Sequence, residues 1–77
     1  MEFRYVLSHY LEQRGMTPAE LANAIGSPRS TINALLKGNA KEPKLSTAKA
    51  ISDALGISLE EMARMTFGDE NERHVEP

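Results

Sequence analysis

Glycine interrupts this chain at short intervals, and each interruption closes a run of helically spaced apolar residues. Gly15 follows Phe3, Val6, Leu7, Tyr10 and Leu11, and Gly26 follows Leu21, Ala24 and Ile25. Gly38 follows Ile32, Leu35 and Leu36, and Gly56 follows Leu45, Ala48, Ile51 and Leu55. A glycine just past the last helical turn takes the left-handed backbone that stops a helix. Start signals lie between the stops. Thr17-Pro18-Ala19-Glu20 combines an N-cap hydroxyl, a proline at the first helical position and a capping-box Glu. Ser27-Pro28 opens the third run, with Ser27 predicted as the cap and Pro28 as the first helical residue. Pro43 confines Glu42 to extended geometry in a polar loop from Asn39 to Lys44. Ser58-Leu59-Glu60-Glu61 is a further capping box, starting a helix that runs to about Met65. With no strand-like alternation and no internal repeat, the chain is predicted to be all-α, with five short helices.

The chain has 77 residues, a size at which folding buries only about 60% of the unfolded chain's surface. A single domain over residues 1–67 is expected, and a deep catalytic cleft with its own supporting shell is hard to build at that size. The acidic, polar stretch 68–77 has too little apolar surface to fold by itself and reads as a disordered tail or the start of a linker. Without cysteine there is no disulfide, no Cys-ligated zinc and no thiol nucleophile, and His9 and His74 lie at opposite ends of the chain. Neither histidine has a nucleophile and an orienting partner at catalytic spacing, so no enzyme, no metal and no cofactor is expected. The N-terminus carries Glu2, Arg4, Glu12 and Arg14 and lacks the apolar run of a signal peptide, and no stretch approaches the ~20 apolar residues of a membrane span. The chain reads as soluble and cytoplasmic, with no membrane partner.

Its formal charge of -2 conceals a division. Ser27 to Lys49 holds Arg29, Lys37, Lys41, Lys44 and Lys49 against Glu42, a net of +4, whereas Glu60 to Pro77 nets -4. Charge alone is equally compatible with solvated helix faces and a solubilising tail.

Two short helices separated by Ile25-Gly26-Ser27 have the layout of a helix-turn-helix, in which the first helix crosses the DNA backbone and the second enters the major groove. From Met16 to Met62 the sequence resembles the lambda-repressor-like family that includes Cro and the XRE-type regulators. The segments that carry the likeness are AELANAIG for the support helix and turn, STINALLKG for the recognition helix, and AISDALGISLEEM for the last two helices. The resemblance implies a five-helix domain that docks on operator DNA. Relatives often pair an Arg late in the first helix with a Glu near the end of the recognition helix. The matching positions are Leu11 and Leu36. Replacing both charges by apolar groups leaves no buried ion unpaired and is compatible with an intact core. Ser27 stands where the family has an apolar residue under the turn, and Pro28 where a polar cap is common.

On a helical wheel with Arg29 at the origin, Asn33, Lys37, Ser30 and Ala34 fall at about 40°, 80°, 100° and 140°, while Ile32, Leu35 and Leu36 fall between about 240° and 340°. One face is polar or small and the other is apolar, as groove insertion requires. Arg29 has the fork to bond guanine O6 and N7, Asn33 can do the same to adenine N6 and N7, Ala34 can touch a thymine methyl, and Ser30 is a shorter helper. These four are the expected base readers. Without the surrounding motif the same residues would read as an ordinary solvated helix surface. Expected phosphate contacts are Thr17 and Pro18 at the start of the second helix, with Thr31, Lys37, Asn39, Lys41 and Lys44, because helix N-termini and basic loops suit anionic oxygens. Lys49 sits one turn inside the fourth helix and is a weaker candidate.

The leading expectation is a sequence-specific transcriptional regulator, a phage-type or mobile-element repressor, whose partner is a double-stranded, pseudo-palindromic operator. It is expected to bind as a homodimer that is weak as an isolated domain, with room for a separate oligomerising domain beyond this chain. The competing expectation is an antitoxin-like interaction module of the same fold, using a surface around Met62 and Met65. Leu59, Met62 and Met65 read either as core fillers or as a subunit contact.

Overall fold

A computed structural model describes residues 1–68. It contains α1 (Phe3–Arg14), α2 (Pro18–Ile25), α3 (Arg29–Lys37), α4 (Leu45–Leu55) and α5 (Leu59–Phe67), and no strand among the described residues. The five expected helices are present in order. The expectation for 68–77 lies, beyond Gly68, outside the described residues. Among the described residues no helix is long and apolar enough to cross a membrane.

The stops act as their sequence indicates. At the ends of α1, α2 and α4 a left-handed glycine is followed by a residue whose N–H reaches five positions back. Met16 N–H donates to Leu11 O, Ser27 N–H to Ala22 O and Ile57 N–H to Ser52 O, at 2.9, 3.0 and 3.0 Å. These bonds satisfy carbonyls that the helix ends leave open, and Met16 and Ile57 add an apolar contact with the core. At the start of α2 both halves of the capping box form. Thr17 Oγ1 accepts from Glu20 N–H at 3.1 Å, and Glu20 Oε1 accepts from Thr17 N–H at 2.8 Å.

Three sequence expectations are corrected. Ser27 does not cap α3 and Pro28 is not its first helical residue. Pro28 is the N-cap, with φ -63° and ψ 147°, no side chain caps the helix, and Arg29 is the first helical residue. Ser27 is already committed to closing α2 through its bond to Ala22, so only Pro28 remains to make the corner. In α4, Leu45 does not face inward. It is 75% exposed, at the first position of the helix, where its side chain projects past the edge of the core. Ser52, farther along the helix, is buried, with its hydroxyl donating to Lys49 O at 2.8 Å. In α2 the buried small residue is Ala22 and not Ala24. With Leu21 and Ile25 fixing the inward direction, a 100° step per residue leaves positions 22 and 24 about 80° to either side of it, so periodicity alone does not choose between them.

The core joins Phe3, Val6, Leu7, Tyr10 and Leu11 of α1 to Leu21, Ile32, Leu35, Ile51, Leu55 and Met62. Met62 is 3% exposed, so it belongs to the core and not to a subunit contact. Leu11 is buried and Leu36 partly buried, the apolar pair expected from the double replacement. A polar strut ties α5 to α1. Tyr10 donates its hydroxyl to Glu61 Oε2 at 2.9 Å, with Met65 Sδ 3.0 Å away. The capping box expected at Ser58 is therefore only half built. Ser58 Oγ accepts from Glu61 N–H at 2.9 Å, but the Glu61 carboxylate turns to Tyr10. Arg14 ties the other end of α1 down, its Nε donating to Leu55 O at 2.8 Å.

Candidate nucleic-acid interface

Ile32 and Leu35 are the fixed points of α3. Both are buried, and they seat the helix against α1 and α2. With those anchors in the core, the opposite side of α3 is left to solvent. Arg29, Ser30 and Lys37 are exposed there, whereas Thr31, Asn33 and Ala34 are half-buried. The four expected base readers thus lie on one face, and Arg29 and Ser30 stand clear of it at its N-terminal end. Asn33 and Ala34 sit lower and have less reach.

Around that face the structure gathers the rest of the expected set. Thr17 is exposed at the start of α2. Its oxygen accepts from Glu20, so the hydroxyl proton stays available to an outside acceptor. Pro18 is half-buried and carries no N–H, so it can offer an anion only its ring. Asn39, Lys41 and Lys44 are exposed on the loop that leads from α3 to α4. Among the described residues, Arg29, Lys37, Lys41 and Lys44 form no ion pair within the chain. Lys49 differs. Its Nζ donates to both carboxylate oxygens of Asp53, at 2.8 and 3.0 Å.

Among the described residues, one ionisable group has a clear displacement, and it lies on α1. The Tyr10 phenol is raised above its ordinary value, chiefly by burial, then by its hydrogen bond to Glu61 and the charge of that carboxylate, with Arg14 opposing. His9 is exposed, with its ring edge-on to Tyr10 at 5.3 Å, and His74 lies outside the described residues.

Sequence reasoning passed over Arg4. Its guanidinium lies over Gly38, the left-handed residue (φ 85°) that ends α3, so close that a Cβ there would stand 3.1 Å from Arg4 Nη1. No local pattern signals a meeting between the first turn of α1 and the end of α3. The arrangement depends on the packing of α1 against α3 and on the bare Cα of glycine.

Residues 7–62 match the profile of a helix-turn-helix family. A comparison with curated proteins finds no match. Among solved structures, the N-terminal DNA-binding domain of SinR from Bacillus subtilis superposes with a TM-score of 0.74 at 18% sequence identity, over 79% of this chain and 88% of that one. At that identity the likeness concerns the fold, and it agrees with the five-helix lambda-repressor-like architecture.

Proposed function

The chain belongs to the helix-turn-helix family, and from that premise we propose that it is a transcriptional regulator that binds double-stranded DNA sequence-specifically, with α3 in the major groove. The observation that carries this reading is the division of α3. Ile32 and Leu35 lock one side into the core, while the other presents Arg29 and Ser30, with Lys37, Lys41 and Lys44 exposed and in no ion pair among the described residues. Arg29, Ser30, Asn33 and Ala34 read base edges. Thr17, Pro18, Thr31, Lys37, Asn39, Lys41 and Lys44 line the phosphate side and fix the docking. The regulator is a phage-type or mobile-element repressor that acts as a homodimer on a pseudo-palindrome, with half-sites about one helical turn, ~34 Å, apart. No catalytic step is assigned to it.

Selection of bound sequences from a randomised duplex pool, followed by titration of the winner at several salt concentrations, tests the proposal. The expected result is an enriched palindrome whose selectivity relaxes in Arg29→Ala by about 1 to 3 kcal/mol at one position of each half-site. No enriched motif at any salt, even with the domain artificially dimerised, overturns it.

A second reading, an antitoxin-like interaction module, is favoured by one observation. Leu45 and Phe67, 75% and 45% exposed, flank an apolar groove of about 330 Å³ along α5. That groove is lined in part by Leu59 and Met62 of the surface expected there, although Met62 itself is buried. In the leading reading the same surface holds the second copy of the chain. If substitution of Leu45 abolishes function while Arg29→Ala and Lys37→Ala leave it intact, the interaction module takes precedence.

A further inference from the structure

A groove of about 630 Å³ separates the first turn of α1 from the loop after α3, and Arg4, Gly38, Ala40 and Lys41 line it. Arg4 is placed there by three contacts. Its guanidinium stacks on the Tyr5 ring at 4.8 Å, its Nη1 and Cδ lie 3.1 and 3.3 Å from where a Gly38 Cβ would stand, and its Nε approaches Glu2 Oε1 at 2.8 Å. The last contact is an ion pair without an aligned hydrogen bond, because Nε is buried and donates to nothing. The Nη groups make no hydrogen bond within the chain among the described residues either, so Arg4 does not serve as a cap on the carbonyls at the end of α3. Its side chain is 37% exposed. Thus a guanidinium held by these contacts, with its outer donors unused among the described residues, stands at the C-terminal end of α3 in one groove with Lys41.

Resting on the DNA-binding reading above, we propose that Arg4 is a further phosphate contact, clamping the operator backbone where it leaves the major groove along the α3–α4 loop. A guanidinium offers a planar fork that matches two phosphate oxygens, and stacking on Tyr5 has already removed much of the rotamer freedom that binding would otherwise cost. Glu2 is the intramolecular stand-in for the phosphate and competes with it. A side chain at Gly38, already disfavoured by its left-handed φ of 85°, would also crowd the guanidinium.

The test compares Arg4→Gln, which keeps a side chain over Gly38 while removing the charge, with Glu2→Gln and the unmodified chain. Binding is followed by fluorescence anisotropy with a selected duplex and a scrambled one, from low to high salt. Losing one phosphate contact lowers the slope of log affinity against log salt by about 0.9. That change corresponds to about a fivefold loss of affinity at ~0.15 M salt relative to 1 M, and it should be the same on both duplexes because phosphates carry no sequence. Glu2→Gln should strengthen binding to both. Melting curves by circular dichroism establish that each variant folds. If the unmodified chain binds with a salt slope that Arg4→Gln leaves unchanged, the clamp is overturned while the DNA-binding reading stands. If the unmodified chain shows no salt-dependent binding to either duplex, the DNA-binding reading falls and the clamp with it.

Discussion

Removing the Tyr10 hydroxyl should reveal how α5 is held, and at which pH that hold is lost. Tyr10 is 8% exposed and donates to Glu61 Oε2 at 2.9 Å. A hydrogen bond to a charged acceptor is worth roughly 1.5 to 3 kcal/mol. Glu61 is exposed, so its carboxylate can rehydrate when the hydroxyl is deleted. Tyr10→Phe should therefore sit at or below the lower end, a loss of about 1 to 1.5 kcal/mol at pH 7. For a domain of this size that corresponds to a fall in Tm of roughly 4 to 12 °C.

The pH dependence follows from the displaced phenol. Burial, the hydrogen bond to Glu61 and the charge on Glu61 all favour the protonated phenol in the folded chain, so its folded value lies above the ordinary value of 10.0. A group displaced upward contributes fully below its unfolded pKa, and the contribution disappears as pH rises through the folded one. The stability difference between the natural chain and Tyr10→Phe should thus be constant through neutral pH and shrink above pH 10. Urea unfolding followed by circular dichroism, stepped from pH 7 to about 11.5, measures both parts. Glu61→Gln keeps an acceptor but removes the charge, and the alkaline loss should then be smaller and complete at lower pH. A stability difference that stays the same from pH 7 to the alkaline limit would refute the argument, because it would mean that the phenol has the same pKa folded and unfolded.

Two other perturbations test the core and its edge. Leu11→Arg alone places an unpaired charge in the core and should cost about 3 to 5 kcal/mol, while adding Leu36→Glu should recover most of it. A double variant as unstable as the sum of the single changes would show that the two positions no longer face each other. Ile51→Ala should cost about 2 to 5 kcal/mol because Ile51 is fully buried. Leu45→Ser should stay within about 0.5 kcal/mol, since Leu45 is 75% exposed. Urea midpoints of similar size for the two would contradict the orientation of α4.

The helices and their order were legible in the sequence because the signals that start and stop them are local. A threonine three residues before a glutamate, or a glycine after an apolar run, acts through hydrogen bonds within a few positions. The polar face of α3 was legible for the same reason, since helical periodicity decides which side chains share a side. The errors arose where a residue has two local possibilities and tertiary packing chooses between them. Glu61 has the spacing of a capping box, but Tyr10 approaches from α1 and takes its carboxylate. Leu45 has the periodicity of the α4 core face, but it precedes the point where α4 meets its neighbours. Arg4 shows nothing in its own segment, because the partner that defines it is the absence of a side chain at Gly38.

The turn between α2 and α3 shows how such a choice bears on function. Ser27 has the hydroxyl of a cap, yet its N–H closes α2 on Ala22 O and Pro28 makes the corner in extended backbone. As a result α3 begins at Arg29 with no side chain bonded to its first N–H groups, and Thr31 N–H reaches back to Pro28 O at 3.1 Å. Had Ser27 capped the helix, α3 would have begun one residue earlier, and Arg29 would have been its second residue instead of its first. With Pro28 as the corner, Arg29 stands at the tip, where a long side chain sweeps the widest arc for the least backbone displacement. The same corner leaves the positive end of the helix dipole uncovered beside it, which favours an anionic partner over a neutral one at that point. The departure from the family pattern at Ser27 and Pro28 thus places Arg29 at the leading end of the face proposed to enter the groove.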